Sequence, residues 1–141
     1  MLVLQFAAIG LLTSGAKAGQ ARGTWLSGSQ YTNKCGDTTW DMGTSATSPL
    51  ASDCDALVKW MEGGTGGVML SGLKTDGPNL VHREGSCSFM VTPESAGPFY
   101  VGRDDMADLV RDSVARWARD GRVGGGGATR CGDMSITWSV G

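Results

Sequence analysis

The four cysteines constrain this chain more than any other feature. Cys35, Cys54, Cys87 and Cys131 are even in number and widely spaced, which is typical of a disulfide framework in an oxidising compartment. A zinc site would normally show a CxxC-type pair and histidine ligands, but no two cysteines lie close together and His82 is the only histidine. We therefore expect two disulfides. The spacing leaves all three pairings open.

The N-terminus predicts a signal peptide. Residues 2–12 are almost uninterrupted apolar sequence, and Ala-Lys-Ala at 16–18 supplies the small-x-small pattern that signal peptidase reads. The apolar stretch is shorter than the roughly 20 residues that cross a bilayer. We expect residues 1–18 to be removed, leaving one soluble, secreted domain over 19–141 without a transmembrane anchor. A buried N-terminal helix or strand is the alternative interpretation.

Glycine dominates the remaining composition, at 23 of 141 residues, and predicts many turns. Hydrophobic residues make up 40% of the chain, which is too many for a disordered segment. The formal net charge is −2. Because no basic surface is indicated, we do not expect a nucleic-acid partner.

Two amphipathic helices are predicted. The first would begin with Ser48 as N-cap and Pro49 in the first turn, and would end at Gly63. The second would begin with Asp104 as its cap and end at Gly121. Their apolar stripes at helical spacing are Leu50, Cys54, Leu57, Val58 and Met61 in the first, and Met106, Leu109, Val110, Ser113, Val114 and Trp117 in the second.

The rest of the chain is predicted to form strands. Ile136, Trp138 and Val140 alternate with small polar residues, as in a half-buried strand. Shorter candidates cover residues 31–35, 67–70, 86–91 and 98–101. The order of helices and strands predicts an α+β fold, a two-layer sandwich of an antiparallel β-sheet with two α-helices, stapled by disulfides.

Catalytic signatures are largely missing from the sequence. It contains no GxSxG elbow, HExxH, Walker loop or GxGxxG opening a helix. The glycine runs at 63–67 and 124–127 lack the lysine and hydroxyl of a phosphate-binding loop, and we predict flexible turns there. His82 with Asp76 or Glu84 is the candidate for acid–base chemistry, although a lone histidine is more often structural. We therefore predict no catalytic residue and no cofactor.

Two further groups of residues suggest binding but have simpler explanations. Asp104, Asp105, Asp108 and Asp112 follow the spacing of a helix surface rather than that of a calcium loop, so we expect no metal site. Three of the five tryptophans have the periodicity of core positions. A carbohydrate-binding module would need exposed aromatic residues aligned on one flat face, and the candidates for such a face are Trp25, Trp40 and Tyr100.

Several segments in order resemble a known family. They are SPLASDC at 48–54, GSCSF at 85–89, GRDDMADLVRDS at 102–113, GATRC at 127–131 and ITW at 136–138. The set resembles the fungal extracellular effectors of the Ecp-two type, the candidate necrosis-inducing factors that share the Hce domain. The resemblance extends over residues 35–140. Arg103 stands where the family pattern has an amide residue, and Ser139 where glycine is common.

The resemblance implies a protein secreted by a fungus into the plant apoplast or against competing microbes. Family members are associated with virulence and plant cell death, and their architecture is similar to that of fungal killer toxins. This implies a non-enzymatic effector that recognises a host plant or microbial surface target, which is a protein, a membrane channel or a glycan. Toxin-like interference with a membrane or channel is one such mode. The alternatives are a small hydrolase that uses His82 with a carboxylate, and a carbohydrate-binding module.

Overall fold

A computed structural model describes residues 19–21 and 23–141. The predicted signal peptide at 1–18 lies outside the described residues and stays a prediction. None of the helices in the described part of the chain is long and apolar enough to cross a membrane.

Nine strands in the described residues form two sheets. The larger sheet has six strands in the spatial order β1-β5-β6-β9-β8-β3, and the smaller sheet has the order β2-β4-β7. All neighbouring strands are antiparallel except β1 and β5, which are parallel. The strands are β1 (Gly19–Gln20), β2 (Gly23–Leu26), β3 (Asp41–Met42), β4 (Gly67–Leu70), β5 (Asn79–Glu84), β6 (Cys87–Pro93), β7 (Phe99–Gly102), β8 (Gly125–Cys131) and β9 (Met134–Val140).

Two helices form the second layer, as the sequence predicts. Helix α1 spans Ala51–Glu62 and helix α2 spans Arg103–Trp117. They pack against each other, and α1 also packs on β5 and β6. A short 3-10 helix covers Ser29–Tyr31. The predicted α+β class is confirmed.

The predicted ends of helix α1 are partly wrong. The helix begins after Leu50 rather than at Ser48, and it ends at Gly63 as expected. The hydroxyl of Ser48 accepts a hydrogen bond from the backbone N–H of Ser45 and makes no capping hydrogen bond to the helix. Leu50 is exposed rather than part of the buried stripe. The other four stripe residues are buried.

The predicted ends of helix α2 also shift. Gly102 is the N-cap and the helix ends before Ala118, well short of Gly121. Asp104 does not cap the helix. Instead, a carboxylate oxygen of Asp105 accepts a hydrogen bond of 2.8 Å from the N–H of Gly102. The aspartate in the third helical position therefore closes this N-terminus.

Four of the five predicted strands are confirmed, and one is wrong. Strands β4, β6, β7 and β9 lie where the sequence places them. Residues 31–35 form no strand, although Cys35 makes an isolated bridge to Cys131. The sequence also predicts a flexible turn at 124–127, and this prediction is wrong because residues 125–127 are the first residues of β8.

Packing explains why glycine is used in β8. A Cβ atom on Gly125 would lie 2.4 Å from a ring carbon of Trp117, and one on Gly127 would lie 1.9 Å from the carbonyl oxygen of Thr39. Trp117 packs beside Trp40 and Trp138, whose ring centroids lie 5.6 Å apart. Gly125 thus makes room for a tryptophan cluster between helix α2 and the sheet, and Gly127 makes room for the backbone of Thr39.

Both expected disulfides are present. Cys35 is bonded to Cys131, and Cys54 is bonded to Cys87. The first attaches the segment after the 3-10 helix to the end of β8. The second attaches helix α1 to the start of β6, and both of its cysteines are fully buried. The structure thereby selects one of the three pairings that the sequence leaves open.

Candidate functional site

The structure pairs His82 with Glu84, one of its two predicted partners. Both residues lie on β5, two positions apart, so their side chains lie on the same face of the strand. His82 Nε2 and Glu84 Oε2 are 2.7 Å apart. Asp76, the other candidate, precedes the strand in a loop and has no hydrogen bond to His82 among the described residues.

The ring of His82 is held by helix α1. It stacks on the indole of Trp60, with the ring centroids 3.5 Å apart and the planes 13° from parallel. No hydrogen bond in the described part of the chain joins His82 to a serine, threonine or tyrosine hydroxyl. The pair can carry a proton between imidazole and carboxylate. The described contacts do not supply it with a nucleophile of the chain.

Arg103 extends this arrangement on the other side of Trp60. Its guanidinium lies 4.3 Å from the Trp60 ring centroid and 5.1 Å from that of Trp25. The two indoles are themselves in edge-to-face contact at 5.2 Å. We call Trp25, Arg103, Trp60, His82 and Glu84 the aromatic row. It runs from β2 of the small sheet across the end of α1 to β5 of the large sheet.

Arg103 also has a structural task that the sequence analysis missed. Its Nη1 donates hydrogen bonds to the carbonyl oxygens of Trp60 and Met61, at 2.8 and 3.3 Å. These carbonyls end helix α1, where the helix dipole favours a cation. Arg103 is the first residue of helix α2, where its charge is unfavourable for its own helix. An arginine at the start of a predicted helix, where a positive charge is unfavourable, is the sequence signal that could have indicated a role for Arg103 in another element.

The exposed aromatic residues do not share one face. In the register of the small sheet, Trp25 on β2 pairs with Val68 on β4, which in turn pairs with Val101 on β7. Tyr100 is the neighbour of Val101 along β7. Side chains of adjacent strand residues point to opposite faces, so Trp25 and Tyr100 lie on opposite sides of the sheet. Trp40 belongs to the tryptophan cluster, and the guanidinium of Arg116 lies 4.1 Å from its ring centroid. The single flat face that a carbohydrate-binding module would need is therefore not formed.

Tyr100 has its own neighbours. It stacks on Tyr31, with the ring centroids 5.6 Å apart. The Lys34 ammonium lies 5.9 Å from the Tyr100 ring centroid. Trp25 and Tyr100 are equally exposed, at 39% and 38%, but of these two only Trp25 is in ring contact with Trp60, on which His82 stacks.

The acidic residues of helix α2 line a cavity of about 570 Å3. Three of them, Asp105, Asp108 and Asp112, face it together with Asp37 and Trp40, whereas Asp104 does not. Asp105 accepts hydrogen bonds from backbone N–H groups, and Asp108 forms an ion pair with Arg111. Within the described residues, no group of three histidine, cysteine, aspartate or glutamate side chains is arranged to hold a metal ion.

Asp105 is the most constrained of these carboxylates. Its Oδ2 accepts the N–H groups of Lys34 and Gly102, at 2.7 and 2.8 Å. Burial raises the pKa of Asp105 above the ordinary aspartate value of 3.8, and the backbone hydrogen bonds oppose this shift only partly. Asp105 thus fastens the segment before Cys35 to the start of helix α2. Its role in the described structure is architectural.

Comparison with known proteins identifies relatives of the chain. Residues 34–131 match the protein family Hce2, whose description reads "Pathogen effector; putative necrosis-inducing factor". The chain is also similar to a protein of Penicillium expansum named "Probable chitinase LysM18", with 28% identity over 120 residues. That match covers 79% of this chain but only 8% of the relative. The chain thus corresponds to a small part of a much longer protein.

The contacts of Arg103 predict a stability effect. We expect Arg103→Gln, which introduces the kind of residue typical of the resembled family, to lower the free energy of unfolding by about 1–3 kcal/mol. The glutamine amide loses both the charge at the end of helix α1 and the contact with the indoles. Urea unfolding monitored by circular dichroism measures the change. The control is Arg111→Gln, which breaks only exposed ion pairs with Glu62 and Asp108 and changes stability by less than about 1 kcal/mol. Equal effects of the two variants would contradict the helix-capping role.

The raised pKa of Asp105 predicts how stability depends on pH. The folded state holds the carboxyl proton more tightly than the unfolded state does. The contribution of Asp105 is therefore greatest below pH 3.8 and is lost as the pH rises through the folded-state pKa. Asp105→Asn does not titrate. We expect the stability of the natural protein, relative to this variant, to fall as the pH rises above 3.8, as measured by urea unfolding at each pH. A constant difference would show that burial does not raise this pKa.

Proposed function

The chain belongs to the Hce2 family of pathogen effectors, and from that premise we propose that it is a secreted fungal effector that recognises a host plant or microbial surface target. Recognition, rather than catalysis, is its proposed mode of action. Support for secretion comes from the signal peptide predicted at 1–18 and from the two disulfides, which are typical of extracellular proteins. The apoplast is the proposed site of action in a plant host.

The exposure of Trp25 is the observation that carries the proposal of recognition. Trp25 is 39% exposed, yet its ring contacts both Trp60 and Arg103. An aromatic side chain fixed before binding contributes a large contact area at a low cost in conformational entropy. Large aromatic residues and arginine are also the residue types that most often dominate binding energies at interfaces. We therefore propose that the aromatic row contacts the target.

Leaf infiltration tests this proposal. Purified protein is infiltrated into leaves of several plant genotypes, and cell death is scored by ion leakage. We expect responsive genotypes to require about thirtyfold more Trp25→Ala protein for the same leakage, because an interface tryptophan contributes on the order of 2 kcal/mol. Tyr100→Ala is the matched control, since Tyr100 is equally exposed on the opposite face of the same sheet. We expect it to act like the natural protein.

Two outcomes of this experiment count against the aromatic row. If Trp25→Ala and Tyr100→Ala lose cell-death activity equally, recognition is not specific to the aromatic row. Full activity of Trp25→Ala would remove this surface from recognition altogether. Inhibition of fungal growth, with no response in any genotype, would favour the toxin-like mode and a microbial membrane channel as the target.

The His82–Glu84 pair supports a second candidate function, a small secreted hydrolase. A histidine next to a carboxylate is a common acid–base arrangement, and a relative is named as a chitinase. That name applies to a protein of which this chain spans about 8%. Chitin fragments are nevertheless the first substrates to test.

His82→Phe distinguishes the two functions. Phenylalanine keeps an aromatic ring on Trp60 but removes both ring nitrogens. If the protein acts by recognition, neither the natural protein nor the variant cleaves chitin oligosaccharides in a mass-spectrometric assay. The hydrolase function predicts cleavage by the natural protein and its loss, by at least about a hundredfold, in the variant.

A further inference from the structure

The start of helix α1 is completed by a residue from another element. Ser86 lies in the turn between β5 and β6, and its hydroxyl accepts a hydrogen bond of 3.0 Å from the N–H of Leu50, the N-cap residue. The same hydroxyl donates to Asp53 Oδ2 at 2.6 Å. The backbone N–H of Ser86 donates to this carboxylate oxygen as well, at 2.8 Å. We call these three hydrogen bonds the serine relay.

Helix α2 shows what the relay replaces. There the aspartate in the third helical position, Asp105, accepts the N–H of the N-cap residue Gly102 directly. Asp53 occupies the same third position in helix α1, but its link to the N-cap residue passes through Ser86. The capping of helix α1 therefore depends on the β5–β6 turn being docked against it.

The turn itself fits this contact closely. Gly85 adopts a φ of +56°, and a Cβ atom there would lie 2.5 Å from Cγ of Asp53. The two hydrogen bonds from Ser86 lower the pKa of Asp53 below the ordinary aspartate value of 3.8. The carboxylate is thus ionised, and able to accept both bonds, at any pH at which a cysteine thiolate forms in appreciable amount.

The serine relay sits directly beside a disulfide. Asp53 precedes Cys54, Ser86 precedes Cys87, and these cysteines are bonded to each other in the core. Docking residue 53 on residue 86 therefore brings residue 54 to residue 87. We infer that the serine relay directs the pairing of Cys54 with Cys87 during oxidative folding, by holding the reduced helix and turn in the register of the disulfide.

The chemical step is ordinary thiol oxidation. Cys54 and Cys87 lose two protons and two electrons to oxidised glutathione, which is reduced to two glutathione thiols. The serine relay takes no part in this transfer. It raises the effective concentration of one thiol near the other relative to the competing pairs.

Oxidative refolding tests the inference. The reduced, denatured protein is diluted into glutathione buffer, free thiols are alkylated at intervals, and peptide mass mapping follows each of the possible disulfides. We expect Asp53→Asn and Ser86→Ala to slow the Cys54–Cys87 bond by about tenfold relative to the Cys35–Cys131 bond, with more non-native pairs in the early pool. Because connectivity is read in that early pool, the result does not require the variants to reach the native fold.

Two control variants sharpen the comparison. Asp55→Asn removes an exposed carboxylate from the same helix, and Ser86→Thr keeps a hydroxyl at the turn. Both are expected to pair Cys54 with Cys87 at the natural rate. Unchanged relative rates in Asp53→Asn and Ser86→Ala would overturn the inference. So would equal slowing of both disulfides, which would mean that the relay stabilises the fold without selecting a pairing.

Discussion

The unpaired backbone groups at the two ends of helix α1 are the constraint on which the rest of the structure depends. A helix leaves N–H groups at its start and carbonyl groups at its end without partners. In this protein the partners come from other elements: the turn residue Ser86 at the start, and Arg103 of helix α2 at the end. The disulfide at Cys54 adds a covalent attachment to the sheet. The helix is thereby fixed at both ends, and the aromatic row is assembled around its second end.

Much of the fold follows from patterns along the chain. The apolar stripes of both helices and the alternation in β9 are periodic patterns that are visible in neighbouring residues alone. They predict which face of each element is buried. The helix starts were misplaced because their hydrogen-bond partners are distant in sequence, as with the N–H of Ala51, which donates to the carbonyl of Gly121. Strand β8 was missed for a related reason. Glycine is disfavoured in strands, so a glycine run predicts a turn. Gly125 is nevertheless used in this strand because the ring of Trp117 leaves no space for a side chain there.

In the candidate site too, the local contacts could be predicted from the sequence and the long-range contacts could not. His82 and Glu84 are two residues apart on a strand, so their proximity follows from local geometry. The stacking of His82 on Trp60 and the two contacts of Arg103 join a strand to two helices, and no local pattern contains that information. Arg103 departs from the resembled family, and its structural role is specific to the neighbours that this chain places around it.

The two disulfides are nested, since the bond between Cys54 and Cys87 lies inside the loop closed by Cys35 and Cys131. The outer bond joins residues separated by 96 positions. A single protease cut anywhere from residue 36 to residue 130 therefore leaves one covalent molecule, not two fragments. Most surface loops of the described chain lie in that interval. Within that interval, extracellular proteases would have to cut the same molecule more than once before a piece of it could diffuse away.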